Sequence, residues 1–356
     1  MTRSDSDKLN LSFMRIAFLY FGVLMGAGFA SGKEMWQFFG VFGGLGFFGI
    51  LLIIFLFIAL GIIIVYISSH KNTGDLSKII SPFDNHTIER IIGIIIAAFL
   101  FMAYFSMLAA GGALIQEQFG VNRLAGSIIL MFIIIIITVR GFGRVSSFIG
   151  KIVPVLLVFT LALSLIILAK DYKSISFEQI IDASPLAQNW FISAIVFVSY
   201  NIMGAIPILG SCTIHSENRD KAILGAVIGG IFLGICALIL YLVTLTDPIL
   251  SNKQPLPMLT LSHKILPNIQ AVYSLVLFIS ILGTAISCFY GYTTKLADNS
   301  KKKYIILISA VAGFGFSLLG FSNIVAIIYP IEGYIGLLFL LLMTWNFVHI
   351  KREKYK

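Results

Sequence analysis

Charge is what this chain has least of. Only 12% of its 356 residues are Asp, Glu, Lys or Arg, about half the share found in ordinary soluble domains. So few charges cannot clothe a soluble surface, which excludes a water-soluble globular domain. Cysteine is scarcer still. Cys212, Cys236 and Cys288 are scattered through or beside apolar segments with no CxxC spacing, so neither a disulfide framework nor a thiolate metal site is implied. The histidines at 70, 86, 215, 263 and 349 show no ligand spacing, and no metal site is expected from them. An intramembrane enzyme would need a nucleophile and base, or a metal constellation, and neither is present in the pattern, so the chain is not read as an enzyme.

Hydrophobic residues fill the space, at 58% of the chain. Runs such as "SIILMFIIIIITV" and "YIGLLFLLLMTW" suit helices that cross a bilayer, for which about 20 apolar residues are needed. Apolar runs read against polar breaks give ten candidate spans, near 12–39, 43–68, 88–117, 121–140, 143–170, 187–213, 219–246, 268–295, 303–319 and 321–349. The leader "MTRSDSDKLN" precedes a long first span with no small-residue cleavage site, so that span is expected to stay in the protein. Two longer connections, 69–87 and 247–267, are each long enough to hold a short interfacial or gating helix.

The net charge of +9 would suggest nucleic acid as a partner in a soluble chain. Here most Lys and Arg residues fall in alternate loops, the bias that places those loops, and both termini, in the cytoplasm. No nucleic-acid partner is expected. The blocks at 301–303 and 351–356 read as topology signals and contacts to anionic membrane lipid.

Five spans occupy 12–170 and five occupy 187–349, with a short tail at 350–356. An odd number of spans per half inserts the second half upside down, the inverted repeat of many secondary transporters. The first span of each half is also the one with helix breakers. The first half carries "GAGFASG" near mid-membrane; the second carries Tyr200-Asn201, Gly204, Pro207 and Gly210 in the corresponding place. An interrupted helix exposes backbone groups that lipid cannot satisfy, so a break must face a polar cavity or a ligand. Gly225, Gly229, Gly230 and Gly234 read differently, as a small-residue face for helix packing.

Ionisable residues inside spans are costly and mark function by default. Lys33 and Glu34 follow the first break, Lys151 lies in the fifth span, and Glu332 follows Pro330 in the tenth. Adjacent helical residues project about 100° apart, so Lys33 is expected to snorkel outward while Glu34 faces the cavity. Lys151 is placed to snorkel toward the cytoplasm.

"GAGFASGKE" followed by "WQFFG" resembles the YkvI family of bacterial membrane proteins, a branch of the amino acid–polyamine–organocation superfamily. The five-plus-five pattern is similar to the LeuT fold across essentially the whole chain. That resemblance implies an all-α single transmembrane domain with broken helices 1 and 6, working by alternating access in a bacterial plasma membrane. It implies sodium- or proton-coupled import of a small organic solute, most often an amino acid, with sodium the expected ion. Gly26, Ala27 and Gly28 would bind the solute carboxylate through backbone amides, with Phe29 and Ser31 following. Tyr200, Asn201 and Gly204 would supply the opposite wall, and Tyr104 a solute-facing aromatic. A sodium ion would sit between the carbonyls of Gly22 and Met25 and the hydroxyls of Ser280, Thr284 and Ser287. Coupling to protons through Glu34, Glu332 or Lys151 is the alternative, the Lys151 ammonium standing in for sodium; an ion channel would keep the breaks but need a continuous path.

Overall fold

The computed structural model describes residues 11–83, 85–140, 158–179, 188–265, 267–296 and 302–354. Among them the chain is helical, and six helices are long and apolar enough to cross a membrane: Gly40–Lys71, Thr87–Phe119, Trp190–Ile214, Arg219–Thr244, Pro267–Thr293 and Phe321–Arg352. Phe13–Leu24 and Arg123–Thr138 are shorter apolar helices.

In chain order the elements are α1 (Phe13–Leu24), α2 (Ala27–Ala30), α3 (Lys33–Phe38), α4 (Gly46–Lys71), α5 (Leu76–Ile80), α6 (His86–Phe119), α7 (Arg123–Arg140) and α8 (158–171). They continue with α9 (Trp190–Ile214), α10 (Arg219–Thr244), α11 (Pro248–Lys253), α12 (Pro257–Ile265), α13 (Gln270–Thr294), α14 (Lys302–Ser317), α15 (Phe321–Asn323) and α16 (Tyr329–Lys354). Short helices therefore occupy both long connections, α5 in one and the α11–α12 pair in the other. The segment expected as a tail from 350 is a continuation of α16 as far as Lys354.

Side-chain oxygens start many of these helices. Ser12, Asp75, Asn85, Asn189, Asn218 and Asp247 each accept a hydrogen bond from an amide in the first turn, satisfying a donor that the helix itself cannot. The helices then sort into two packed groups. α4 and α1 lie against α9 and α10, with α16 along α9; α6 lies against α7, α13 and α14. Glycines set the closest approaches within the first group. A Cβ on Gly225 or Gly229 would meet Ile16 or Tyr20 of α1, and one on Gly230 or Gly234 would meet Ile58 or Ile54 of α4. The packing role read from their spacing is thus their role in the fold.

The first span is broken as expected. α1 stops at Leu24, α2 makes a single turn, and Gly32 at φ +78°, the left-handed region that favours glycine, redirects the chain into α3. α2 lies against α13 and α6 while α1 lies against α10 and α9, so the break sits on the seam between the two groups. The sixth span differs from expectation: α9 is one continuous helix from Trp190 to Ile214 with Pro207 inside it. Proline removes one donor, leaving the Met203 carbonyl without its usual partner, yet the helix runs on unbroken to Ile214.

Candidate functional site

The break supplies the first part of the site. Met25 turns the chain at φ −78°, ψ 62°, and its amide still donates to the Phe21 carbonyl, whereas the Gly26 amide donates to Leu24 at 2.8 Å. That detour leaves the carbonyls of Gly22 and Val23 without a backbone donor among the described residues. The amides of Ala27, Gly28 and Phe29, at the head of α2, likewise have no backbone acceptor there. The Ser31 hydroxyl turns back to donate to the Gly28 carbonyl at 3.0 Å and accepts from the Lys33 amide, so it braces the break. A Cβ on Gly26 would meet nothing within 4 Å.

α13 supplies the second part. The Ser280 hydroxyl reaches the Met25 carbonyl at 3.4 Å. Thr284 and Ser287 are half-buried and make no hydrogen bond to a described residue. Of the five oxygens assigned to a cation, the structure joins those of Met25 and Ser280 in a hydrogen bond.

The third part is acidic. Glu34 is 5% exposed, and one carboxylate oxygen accepts from the Tyr200 hydroxyl at 2.6 Å. Its other oxygen lies over Gly28, only 1.9 Å from where a Cβ would be. The Tyr200 ring stands 5.0 Å from that of Tyr329, whose hydroxyl pairs with the Ser106 hydroxyl at 2.7 Å. One turn further along α16 lies Glu332, 4% exposed, with a buried carboxylate oxygen that has no partner among the described residues. The ion pairs among the described residues are Lys221–Glu217 and Lys264–Asp247, so neither buried acid has a basic partner there. A five-residue π-helical segment, Ile324–Ile328, runs into Tyr329 and Pro330; such wide turns recur at functional sites.

Lys33 does not snorkel. It is 1% exposed and donates to the carbonyls of Ser251 and Asn252, at 3.3 and 2.7 Å, at the end of α11. Trp36 adds an indole hydrogen bond to the Asn252 side chain. The Met258 amide of α12 donates to the Ser31 carbonyl at 2.8 Å, and the Tyr273 hydroxyl donates to Ala30. Unsatisfied carbonyls at the end of a short helix are good acceptors for an ammonium, which explains why a lysine buries itself there. The α11–α12 connector is therefore fastened directly onto the broken span.

Three expected site residues are engaged elsewhere. The Tyr104 hydroxyl donates to the Ala310 carbonyl at 3.4 Å and its ring stacks on Phe289 at 4.3 Å, against Gly313. The Asn201 amide donates to Phe197 within its own helix. Gly204 borders open space on a helix that does not break. Phe29 is buried against Phe197, and Lys151 lies outside the described residues. Tyr329 and Ser106 were missed; the signal available was the three-residue step from Tyr329 to Glu332, one helical turn.

No family model matches the chain. It is 29% identical over 337 residues to the uncharacterized membrane protein YkvI of Bacillus subtilis (strain 168), covering 92% of this chain and 94% of that protein. It is 27% identical over 347 residues to the uncharacterized protein YyaD of the same organism, covering 91% and 94%. Among solved structures it is similar to Mhp1, a nucleobase-cation-symport-1 family transporter in a closed conformation with bromovinylhydantoin bound. The TM-score is 0.57 at 10% identity, over 91% of this chain and 75% of that one. A manganese transporter of Eremococcus coleocola follows, with TM-score 0.51 at 12% identity over 98% and 78%. At such identity the likeness speaks to fold. The chain has the fold of membrane transporters and is a multi-pass membrane protein.

Proposed function

We propose that the chain is a secondary active transporter that imports a small organic solute, an amino acid in the first instance, by sodium-coupled alternating access. The observation that carries this reading is the Ser280 hydroxyl reaching the Met25 carbonyl across the seam. Hard oxygens from two helix groups at a break suit a hard cation, and a cation bridging the groups would couple its binding to their relative movement. The grouping of helices supports a ten-span, inverted five-plus-five plan. The first two helices of each half pack together, α1 and α4 with α9 and α10, and so do the third and fourth, α6 and α7 with α13 and α14. The membership proposed is the amino acid–polyamine–organocation superfamily, and the setting a bacterial plasma membrane with both termini cytoplasmic.

A second reading is favoured by the buried acids. Glu34 and Glu332 have no basic partner among the described residues, and a proton relay is a common role for such residues in a membrane. Lys151 remains the third group proposed for proton coupling. Counterflow in proteoliposomes separates a carrier from a channel, since only a carrier exchanges labelled for unlabelled solute. Uptake driven by an imposed sodium gradient, and lost in Ser280→Ala, supports sodium coupling; uptake that follows a proton gradient and ignores sodium supports the second reading.

A further inference from the structure

Away from the break, a cavity of about 200 Å³ opens where α6 gives way to α7 and α14 to α15. Its walls come from the last turns of α6, the first of α7, the turn at 317–323 and, in the α11–α12 connector, Pro255. The charge of these walls has one sign: Arg123 is among the lining residues and no described acid is. Arg123 is exposed and makes no ion pair with a described residue. Gly320, at φ +82°, gives its guanidinium room, since a Cβ there would stand 3.2 Å from an Arg123 nitrogen. Gln116, Ser322 and Asn323 add amide and hydroxyl groups to the same wall, while Glu117, next along α6, is taken up by the Thr260 hydroxyl. Leu124, Leu318 and Leu319 also line the cavity, yet they are 39, 45 and 50% exposed. An arginine at a helix start is ordinary snorkelling when it stands alone; here it stands over a cavity with polar and apolar walls.

We propose that this cavity seats the headgroup of an anionic membrane phospholipid, with Arg123 on the phosphate and the exposed leucines against the acyl chains. Charge sets the sign of the ligand. A cation would meet a guanidinium and no carboxylate, whereas the planar fork of arginine donors matches phosphate oxygens. Size sets the class: about 200 Å³ is below the roughly 300–1,000 Å³ of pockets for drug-sized molecules, enough for a headgroup and too little for a large solute. Apolar surface sets the source. A free phosphate gains nothing from three exposed leucines, while lipid chains remove that surface from water. A choline headgroup would carry its own cation to the guanidinium, so a headgroup with net negative charge is preferred. The site stands apart from the Met25–Ser280 position and does not depend on what the chain carries. It is also separate from the basic blocks at 301–303 and 351–356, which lie at the far ends of α14 and α16.

The test uses the full chain in phosphatidylcholine nanodiscs, with or without phosphatidylglycerol, and reads by peptide mass spectrometry how fast phenylglyoxal modifies Arg123. Phosphatidylglycerol is expected to slow that modification about tenfold, the factor that a hydrogen bond to a charged group supplies. Sodium phosphate and the chainless headgroup glycerophosphoglycerol, added to phosphatidylcholine discs, leave the rate unchanged. Equal rates with and without phosphatidylglycerol overturn the proposal. Equal slowing by either soluble phosphate overturns it too, since the cavity would then take an anion from water. Ser322→Leu narrows the cavity, keeps Arg123 as the reporter and removes the lipid effect; a full effect in that variant overturns the site. Lys173→Gln takes one exposed charge from a different loop and keeps the effect, and its loss there would mark a response to net charge, against the proposal. Should Ser322→Leu fail to fold, the wild-type rates decide by themselves.

Discussion

Gly28 is where the smallest change should have the largest effect. Its missing Cβ is the space that a Glu34 oxygen occupies, so Gly28→Ala must push the carboxylate away from the break and strain its bond to Tyr200. The loss of a hydrogen bond to a buried charged group costs on the order of 2 kcal/mol. Solute affinity in Gly28→Ala should therefore fall by about tenfold or more while the protein still elutes as a folded species; an affinity equal to the wild type would show that the contact is incidental. The glycines of "GAGFASG" were readable as a break because lipid leaves broken backbone no other excuse. That Glu34 folds back over Gly28 was not readable, since it depends on the reversal at Gly32. Nor was the burial of Lys33, because its acceptors at Ser251 and Asn252 lie more than two hundred residues away in sequence.

At the scale of elements, spacing told packing from breakage in α10 and fell short in α9. The α10 glycines repeat with helical period and sit in contact with α1 and α4, so Gly229→Leu should force Tyr20 and the Ala17 carbonyl apart. Overpacking of this kind costs about 1–3 kcal/mol, to be seen as a lower thermal midpoint with solute binding weakened only through stability. In α9 the breakers are thinly spread: Gly204 and Pro207 stand in an otherwise apolar, well-packed helix, and one absent amide is not enough to part it. The connector makes a second prediction. Lys33→Met removes the donor that joins α3 to α11, so a cysteine placed by Met258→Cys should react faster with a water-soluble maleimide in that background. Equal rates in both backgrounds would mean that Lys33 does not hold the connector.

For the whole molecule, hydropathy located the long helices well because their length is fixed by a bilayer and needs no partner to be recognised. The sorting of those helices into two groups was not legible, because it depends on contacts between helices far apart in sequence. The electrostatic centre was partly legible: Glu34, Tyr200 and Glu332 were singled out as separate residues, while their convergence with Tyr329 and Ser106 follows from the close approach of α16 to α9. The charge pattern of the loops adds a test of topology. Reporter fusions at either terminus should both give cytoplasmic signal, and an external signal from one alone would contradict the even number of spans proposed here.

Lys33 and Glu34 are joined by one peptide bond, yet one fastens the α11–α12 connector and the other faces Tyr200 and the break. A movement of α3 as a body that draws the lysine off its carbonyls swings the carboxylate as well. Loading and unlocking thus share a lever only a few ångströms long. Under the carrier reading proposed above, the empty protein would have to undo that fastening unaided, so its return, rather than the loaded passage, is expected to be the slow half of the cycle.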